Sequence, residues 1–371
     1  MNRREFLSLS ALGLIGMSAS DALTPLYART PRRDRKYSVV VLGDTHFDTE
    51  PADVYHANYD EKTEWLNRVQ RQEFKRNGEM WRERCPRLVR RAARLIDRDT
   101  RFAYQAGDLI QGDCGKGEVH RQMLDDVMNY FKGELGGLPF VTVVGNHDIR
   151  GVDAEKTYHD YMPQRMSQEL GQDIKQTTFS FWIGRDVYLV IDFNKPDDAE
   201  VERLLEESKD ARYTFVLIHG ALFPMDDGDG RWIYHGSERD TERRRHFRRL
   251  FAQRHVICLC GHTHTTEFYD WWGDGGRITQ VTVNSVWADE EKQGKYTVTA
   301  EGAEHYGDMH RKNRGDRRDD TALYDEYRQG LKAWTYSRAA GCYKLCVSDR
   351  HVTLDFYAGD SEEVSHRFIL R

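Results

Sequence analysis

No stretch of this 371-residue chain approaches the ~20 consecutive apolar residues that a membrane-spanning helix needs. The amino-terminal apolar run, Phe6 to Met17, is too short and is broken by serines. No transmembrane segment is therefore expected in the mature chain. Excess positive charge is missing too: 55 Lys and Arg stand against 61 Asp and Glu, for a formal charge of -6. With a pI of about 6.2 the chain has no global pull toward nucleic acid or an anionic membrane. There is no internal repeat and no low-complexity tract, so the chain is not a repeat array. Cysteine is limited to Cys85, Cys114, Cys258, Cys260, Cys342 and Cys346. A chain long enough for a large core does not need disulfide staples. Cys258 and Cys260 alternate on one strand, a spacing at which a bond between them is disfavoured.

What the chain does have is one pattern, five times over. Pro139-Phe-Val-Thr-Val-Val ends at Gly145-Asn146-His147-Asp148. Val39 to Gly43 ends at Asp44-Thr45-His46, and Phe102 to Ala106 ends at Gly107-Asp108. Phe215 to Ile218 ends at His219, and Val256 to Cys260 ends at Gly261-His262-Thr263-His264. Each apolar run reads as a buried strand entering a tight turn. Each delivers Asp, Asn or His to the carboxyl end of its strand, where α/β sheets carry their sites.

Residues 1–28 read as an export signal. Arg3-Arg4-Glu5-Phe6-Leu7-Ser8 resembles a twin-arginine motif, and the apolar run leads to small residues at Ser20-Asp21-Ala22 or at Ala28. That route implies a bacterial source, a periplasmic or exported destination, and the twin-arginine machinery as a partner. It carries folded proteins, which suits a chain that must load metal first.

Residues 36–371 read as one domain with insertions at about 47–100 and 288–336. In the first, a helical pattern over Glu61–Arg98 is expected to divide at Asn77-Gly78 and Pro86. Helices are expected over Gly117–Gly136, Ala154–Gln172, Ala199–Ser208 and Arg243–Arg254. Thr177–Ile183 and Asp186–Asp192 read as a hairpin, Gly220–Glu238 as a loop over the site, and Arg277–Val283 as a strand. Residues 288–333 show no sustained apolar period and read as an insertion that covers the site or is partly disordered. Antiparallel strands close the chain over 341–371. The arginines of 82–98 and 243–254 read as solvated helix faces.

Asp44, His46, Asp108, Asn146, His219, His262 and His264 form an oxygen and imidazole donor set without thiolate. Such a set suits Mn, Fe or Zn in an open site rather than a structural zinc site. The five motifs in this order resemble the calcineurin-like metallophosphoesterases. The pattern Asp-x-His, Gly-Asp, Gly-Asn-His-Asp, a lone His and Gly-His-x-His is complete, over roughly residues 37–290. The resemblance implies an α/β fold: two packed mixed β-sheets flanked by helices in a four-layer sandwich. It implies two divalent or trivalent ions. Asp44, His46, Asp108 and His264 would hold one; Asp108, Asn146, His219 and His262 would hold the other, with Asp108 bridging. A hydroxide on the metal pair would attack a phosphate ester, with His147 as general acid or phosphate ligand.

A phosphomonoester is the favoured substrate, and a phosphodiester, including nucleic acid, the alternative. A non-catalytic binding protein on this scaffold would be expected to have lost His147 or a bridging ligand, and neither is lost. Three residues after the bridging aspartate, the protein Ser/Thr phosphatases of this superfamily carry an aspartate paired with the acid histidine. Purple acid phosphatases carry a tyrosinate there. This chain has Gln111, which speaks against both assignments: Gln111 can hydrogen-bond His147 but brings no charge. Asp148 and Asp113 are candidates to support His147. Arg150 is a candidate for phosphate or for a salt bridge. Trp232, Tyr234, His235 and Trp287 are candidate pocket residues, His235 foremost among them. His56, His120, His305 and His351 carry no motif.

Overall fold

In the computed structural model, described for residues 36–48, 53–56, 64–226, 230–285, 295–314 and 320–371, the five apolar runs are strands of two sheets. The elements in chain order are β1 (Tyr37–Leu42), α1 (Asp53–His56), α2 (Glu64–Ala93), β2 (Thr100–Gln105), α3 (Gly117–Glu134), β3 (Phe140–Thr142) and α4 (Ala154–Leu170). Then come β4 (Phe179–Ile183), β5 (Asp186–Ile191), α5 (Asp198–Glu207), β6 (Thr214–Ile218), α6 (Thr241–Gln253), β7 (Ile257–Cys260), β8 (Thr266–Gly273) and β9 (Gly276–Thr282). The chain ends with β10 (Ala300–Glu301), α7 (Asp308–Arg314), α8 (Thr321–Arg328), β11 (Leu331–Ser337), β12 (Gly341–Val347), β13 (Val352–Ala358) and β14 (His366–Ile369).

One sheet runs β14-β13-β12-β1-β2-β3, with β1, β2 and β3 parallel. The other runs β10-β11-β8-β9-β7-β6-β5-β4, with β5, β6, β7 and β9 parallel. Both are mixed, and helices flank them. Every residue of β1, β5, β6 and β7 is buried, as strands covered on both faces must be. The sheets share a core in which Phe102 packs edge-on against Tyr188. Two hydrogen bonds tie them further: Tyr37 Oη to Asp186 at 2.8 Å, and Tyr104 Oη to the Leu259 carbonyl at 3.1 Å.

The structure corrects three expectations. The helix α2 is unbroken through Asn77-Gly78 and Pro86. Trp81, Cys85, Leu88, Val89 and Ala92 are all buried along one face, and that packing offsets the intrinsic helix cost of Gly78, about 1 kcal/mol, and of Pro86, about 3 kcal/mol. Strand β8, unanticipated, lies between β9 and β11. The 288–333 segment, read as an insertion that covers the site or is partly disordered, contains β10, α7, α8 and the start of β11. Its core is built from tyrosines: Tyr306, Tyr324 and Tyr327 are buried. Tyr306 and Tyr324 donate to the carbonyls of Pro224 and Met225, at 2.5 and 2.7 Å. Residues with a polar tip dilute an apolar period while still filling a core.

The arginines of α6 are largely spent on acids, with Arg243 on Asp198 and Arg245 and Arg248 on Glu326. No cysteine forms a disulfide. No helix among the described residues is long and apolar enough to cross a membrane. Residues 1–28 and Trp287 lie outside the described residues.

Candidate metal centre

Asp44 and His46 follow β1, Asp108 follows β2, Asn146 and His147 follow β3, His219 follows β6, and His262 and His264 follow β7. The carboxyl ends of parallel strands from both sheets therefore converge on one place. Asp44, His46, Asp108 and His264 offer ligand atoms within 4.8 Å of one another, and so do Asp108, His219 and His262. Asp108 belongs to both groups. Asn146 joins the second, its Oδ1 3.2 Å from His219 Nε2.

Two pairs of imidazoles aim nitrogens at each other, each at 3.2 Å: His46 Nε2 at His264 Nε2, and His262 Nδ1 at His219 Nε2. Nδ1 of His219 lies 2.8 Å from the Ala106 carbonyl and donates to it. Its Nε2 is thereby the ring atom that faces the cluster. Burial and neighbouring imidazoles hold His46 and His262 well below the usual histidine range, so both offer lone pairs. Burial opposes charge on His219, yet Asp108 and Asp44 raise its pKa to about 10, so Nε2 holds a proton that a cation would displace. Imidazoles around two buried carboxylates are a donor set that fits cations.

The backbone is shaped for this cluster. His46, Asp108, His262 and His264 all have positive φ, between 45° and 83°, a conformation that non-glycine residues adopt mainly where function requires it. A Cβ on Gly261 would lie 2.2 Å from Asp44 Oδ1, and one on Gly145 would lie 2.1 Å from the Asp108 nitrogen. Both glycines therefore allow an approach that no other residue permits.

His147 does not point into the ligand groups. Its backbone N–H donates to Asp108 Oδ1 at 2.7 Å, and its Nδ1 donates to the Gln111 carbonyl at 3.0 Å. Its ring stands edge-on to that of His46, with centroids 4.4 Å apart. Burial depresses its pKa. The Gln111 side chain is engaged elsewhere, accepting from Asn77 at 2.5 Å; only its backbone serves His147. Asp148 binds backbone, accepting from Ile110 and Gly145 at 3.0 and 2.8 Å. Burial and the repulsion of Asp108 raise its pKa to about 7. Asp113 is buried against Arg150, whose Nε donates to it at 2.7 Å, and Arg150 also pairs with Glu73 at 2.8 Å. Of the two readings of Arg150, the salt bridge is realised.

His235 stands apart from the cluster. Its Nε2 is 2.8 Å from Asp198, to which Tyr234 also donates, so both residues belong to the contact between α5 and the loop before α6. Trp232 does reach the site, with its ring 4.4 Å from that of His262. Three contributors went unanticipated. Phe193 lies with its ring 5.7 Å from that of His219. Gln105 is buried and braces the Gly107 turn through both ends of its amide, at 2.7 and 3.0 Å. Glu73, on α2, places Oε1 3.7 Å from His147 Nε2. The position of Gln105 two residues before Gly-Asp was a usable signal; Glu73 gave none.

The family model for calcineurin-like phosphoesterases matches residues 37–266, well over half of the chain. The chain belongs to that family and is a hydrolase of phosphoric esters. Among solved structures it is similar to PhoD, at 11% identity and a TM-score of 0.52, covering 93% of this chain and 70% of that one. A dimetal phosphatase from Danio rerio matches at 11% identity and a TM-score of 0.48, over 90% of this chain and 98% of that one. GAP50, described as the anchor in the inner membrane complex of Plasmodium, matches at 13% identity and a TM-score of 0.43, over 91% and 89%. No curated protein matches by sequence.

Proposed function

We propose that this chain is an exported, two-metal phosphomonoesterase. The observation that carries the two-metal reading is the placement of Asp108: it is common to both donor groups while its Oδ1 accepts the His147 N–H at 2.7 Å. Asp44, His46, Asp108 and His264 would hold one ion, and Asp108, Asn146, His219 and His262 the other. When bound, such a pair supplies Lewis acidity and a nucleophile drawn from water at neutral pH.

The chain's own residues do the rest. The Gln111 carbonyl fixes the His147 ring through Nδ1. Nε2 is then the atom that serves the leaving oxygen, carrying a proton to it or sharing charge with the phosphate. Asp148 holds the β2 and β3 turns in register by accepting a backbone N–H from each, so that Asp108 and Asn146 meet. Trp232 and Phe193 wall the side of His262 and His219. Delivery by the twin-arginine route rests on the Arg3-Arg4 motif; the five site motifs are common to monoesterases and diesterases, and the substrate panel separates the two.

The test is a panel of mono- and diesters with metal-reconstituted protein, alongside Asp108→Asn. The variant is expected to lose both metals and turnover together, because the shared carboxylate loses its charge. Full metal content and full activity in Asp108→Asn would refute the two-metal reading.

A further inference from the structure

The donor cluster is not equally enclosed on all sides. The side chains of Asp44, His46, Asp108 and His219 are at most 3% exposed. That of His264 is 20% exposed, and Asn146 and His262 are partly exposed with it. The cluster therefore opens on the side of Asn146, His262 and His264, and a substrate comes in past those three residues.

Trp232 and Phe193 stand at that opening. The Trp232 ring lies over His262, tilted by 30° with centroids 4.4 Å apart. The Phe193 ring lies 5.9 Å from that of Trp232 and 5.7 Å from that of His219. Both residues are only half-buried, so each keeps aromatic surface open beside the ligands. Both are held from behind. The Trp232 carbonyl accepts the Ala221 N–H at 3.3 Å, and the neighbouring Arg231 pairs with Asp320 at 2.6 Å. Phe193 lies against Gly220, where a Cβ would come within 2.5 Å of its ring. The buried Asp192 carboxylate accepts the N–H groups of Asn194 and Lys195, at 3.0 and 2.9 Å. The Asn194 amide in turn donates to the Gly145 carbonyl at 3.4 Å. Rings ordered in advance lose less freedom when a ligand packs on them. The His147 side of the site is different in kind, since it carries the ion pair of Arg150 with Glu73.

We infer that Trp232, with Phe193 beside it, is a specificity residue, and that the substrate is a phosphate ester whose organic group carries a planar aromatic ring that packs on the Trp232 indole. The inference rests on the phosphoesterase reading of the preceding subsection. A flat ring suits this place better than a saturated one, because ring-on-ring contact adds to the gain from burial alone. The addition is worth about two- to tenfold in kcat/KM. A cyclohexyl group buries more apolar surface than a phenyl group, so burial alone would favour cyclohexyl. The sign of the preference therefore separates stacking from simple burial.

The experiment takes metal-reconstituted protein and two matched pairs of alkyl phosphates: 2-phenylethyl with 2-cyclohexylethyl, and 3-phenylpropyl with 3-cyclohexylpropyl. Leaving-group basicity is matched within each pair. Ethyl phosphate and 4-nitrophenyl phosphate are the references. The wild type should favour the phenyl ester of at least one pair by about two- to tenfold, through KM. Trp232→Leu should lose that preference and Trp232→Phe should keep it, with both metals retained in each. Equal wild-type rates within both pairs, or a preference for cyclohexyl, with the nitrophenyl ester still cleaved, would overturn the inference and leave the phosphoesterase reading intact. A preference that persists unchanged in Trp232→Leu would overturn it too. So would loss of metal in Trp232→Leu, or a fall in kcat by one common factor on every ester, ethyl phosphate included; either is the mark of a residue that only packs His262. Failure to cleave any ester, nitrophenyl included, would overturn the phosphoesterase reading and this inference with it. The wild-type ranking does not depend on either variant folding.

Discussion

Replacing Gly145 by alanine places one methyl group where the structure has no room. The new Cβ would lie 2.1 Å from the Asp108 nitrogen, 2.2 Å from its Oδ1 and 2.8 Å from its Cα. Ordinary contact begins near 3.4 Å, so something must move by more than about 1 Å. It cannot be a side-chain tip, because two of the three atoms are backbone, in a turn pinned by Thr45 and His46 through the Asp108 carbonyl. Overpacking of this kind costs about 1–3 kcal/mol in stability. The larger effect falls on function, since a shift of about 1 Å in a reacting geometry costs on the order of 10²-fold in rate. Gly133→Ala is the matched control: it sits in α3 with nothing within 4 Å of its Cβ site. It should stabilise by about 0.5–1 kcal/mol, because alanine loses less chain entropy in a helix. The assay is thermal melting, bound-metal analysis and ester hydrolysis for both variants. Gly145→Ala should melt lower, bind metal more weakly and lose most of its activity; Gly133→Ala should melt higher and keep both. If Gly145→Ala keeps its metals and its activity, the close approach of the β3 turn to Asp108 is not what shapes the site.

His147→Gln should retain both metals and lose about 10²–10⁴-fold in turnover on alkyl esters, with a smaller loss on nitrophenyl esters that leave as stable anions; equal losses on both would remove the general-acid role, and a lost metal would make His147 a ligand. Arg3→Lys with Arg4→Lys should strand the protein in the cytoplasm; unchanged delivery, measured by cell fractionation, would rule out the twin-arginine route. Glu267 is buried among Thr265, Tyr269 and the Asp226 N–H, and burial followed by repulsion from Asp226 raises its pKa to about 7. Its contribution is complete below the unfolded value near 4.3 and is lost as pH rises toward 7; melting temperatures from pH 5 to 8 should therefore fall less steeply in Glu267→Gln, and an unchanged slope would show that this carboxyl does not titrate across that range.

The cluster was legible because each of its parts is local. Gly145-Asn146-His147-Asp148 holds its strand end, its turn and its polar groups within a few residues, and the other four motifs repeat that economy. The same locality made β1, β6 and β7 plain, since a strand buried on both faces is a continuous apolar run. What failed was whatever depends on a distant partner. Helix α2 looked divisible at Asn77-Gly78 because nothing nearby shows that Asn77 is buried on Gln111, 34 residues away. Residues 288–333 showed no sustained apolar period because Tyr306 and Tyr324 fill a core while spending their hydroxyls on the carbonyls of Pro224 and Met225. Tyr234 and His235 looked like pocket residues, but Asp198 claims both. Arg150 pairs with Asp113 and with Glu73, which arrives from α2 with no motif around it.

This division has a physical cause that bears on how the site works. The ligand residues sit on turns fixed chiefly by backbone: Asp148 joins the N–H of Gly145 to that of Ile110, and Asp44 accepts the N–H of His262 at 3.0 Å. Such turns need glycines and short polar residues at set places, and these leave a trace in the sequence. Beyond the ligands, the surroundings are set by side chains arriving from other elements: Glu73 from α2, Phe193 from the end of β5, and Trp232 from the loop after β6. The His262–His264 turn is itself tethered outward, through Thr263 to Thr265 at 2.7 Å and from Thr265 to Glu267 at 2.9 Å. In this chain the position three residues after Asp108 holds Gln111, without charge, and the carboxylate that faces His147 Nε2, Glu73, comes from an insertion instead. Helix α2 and the loop after β6 therefore supply side chains that surround the cluster from outside the five motifs.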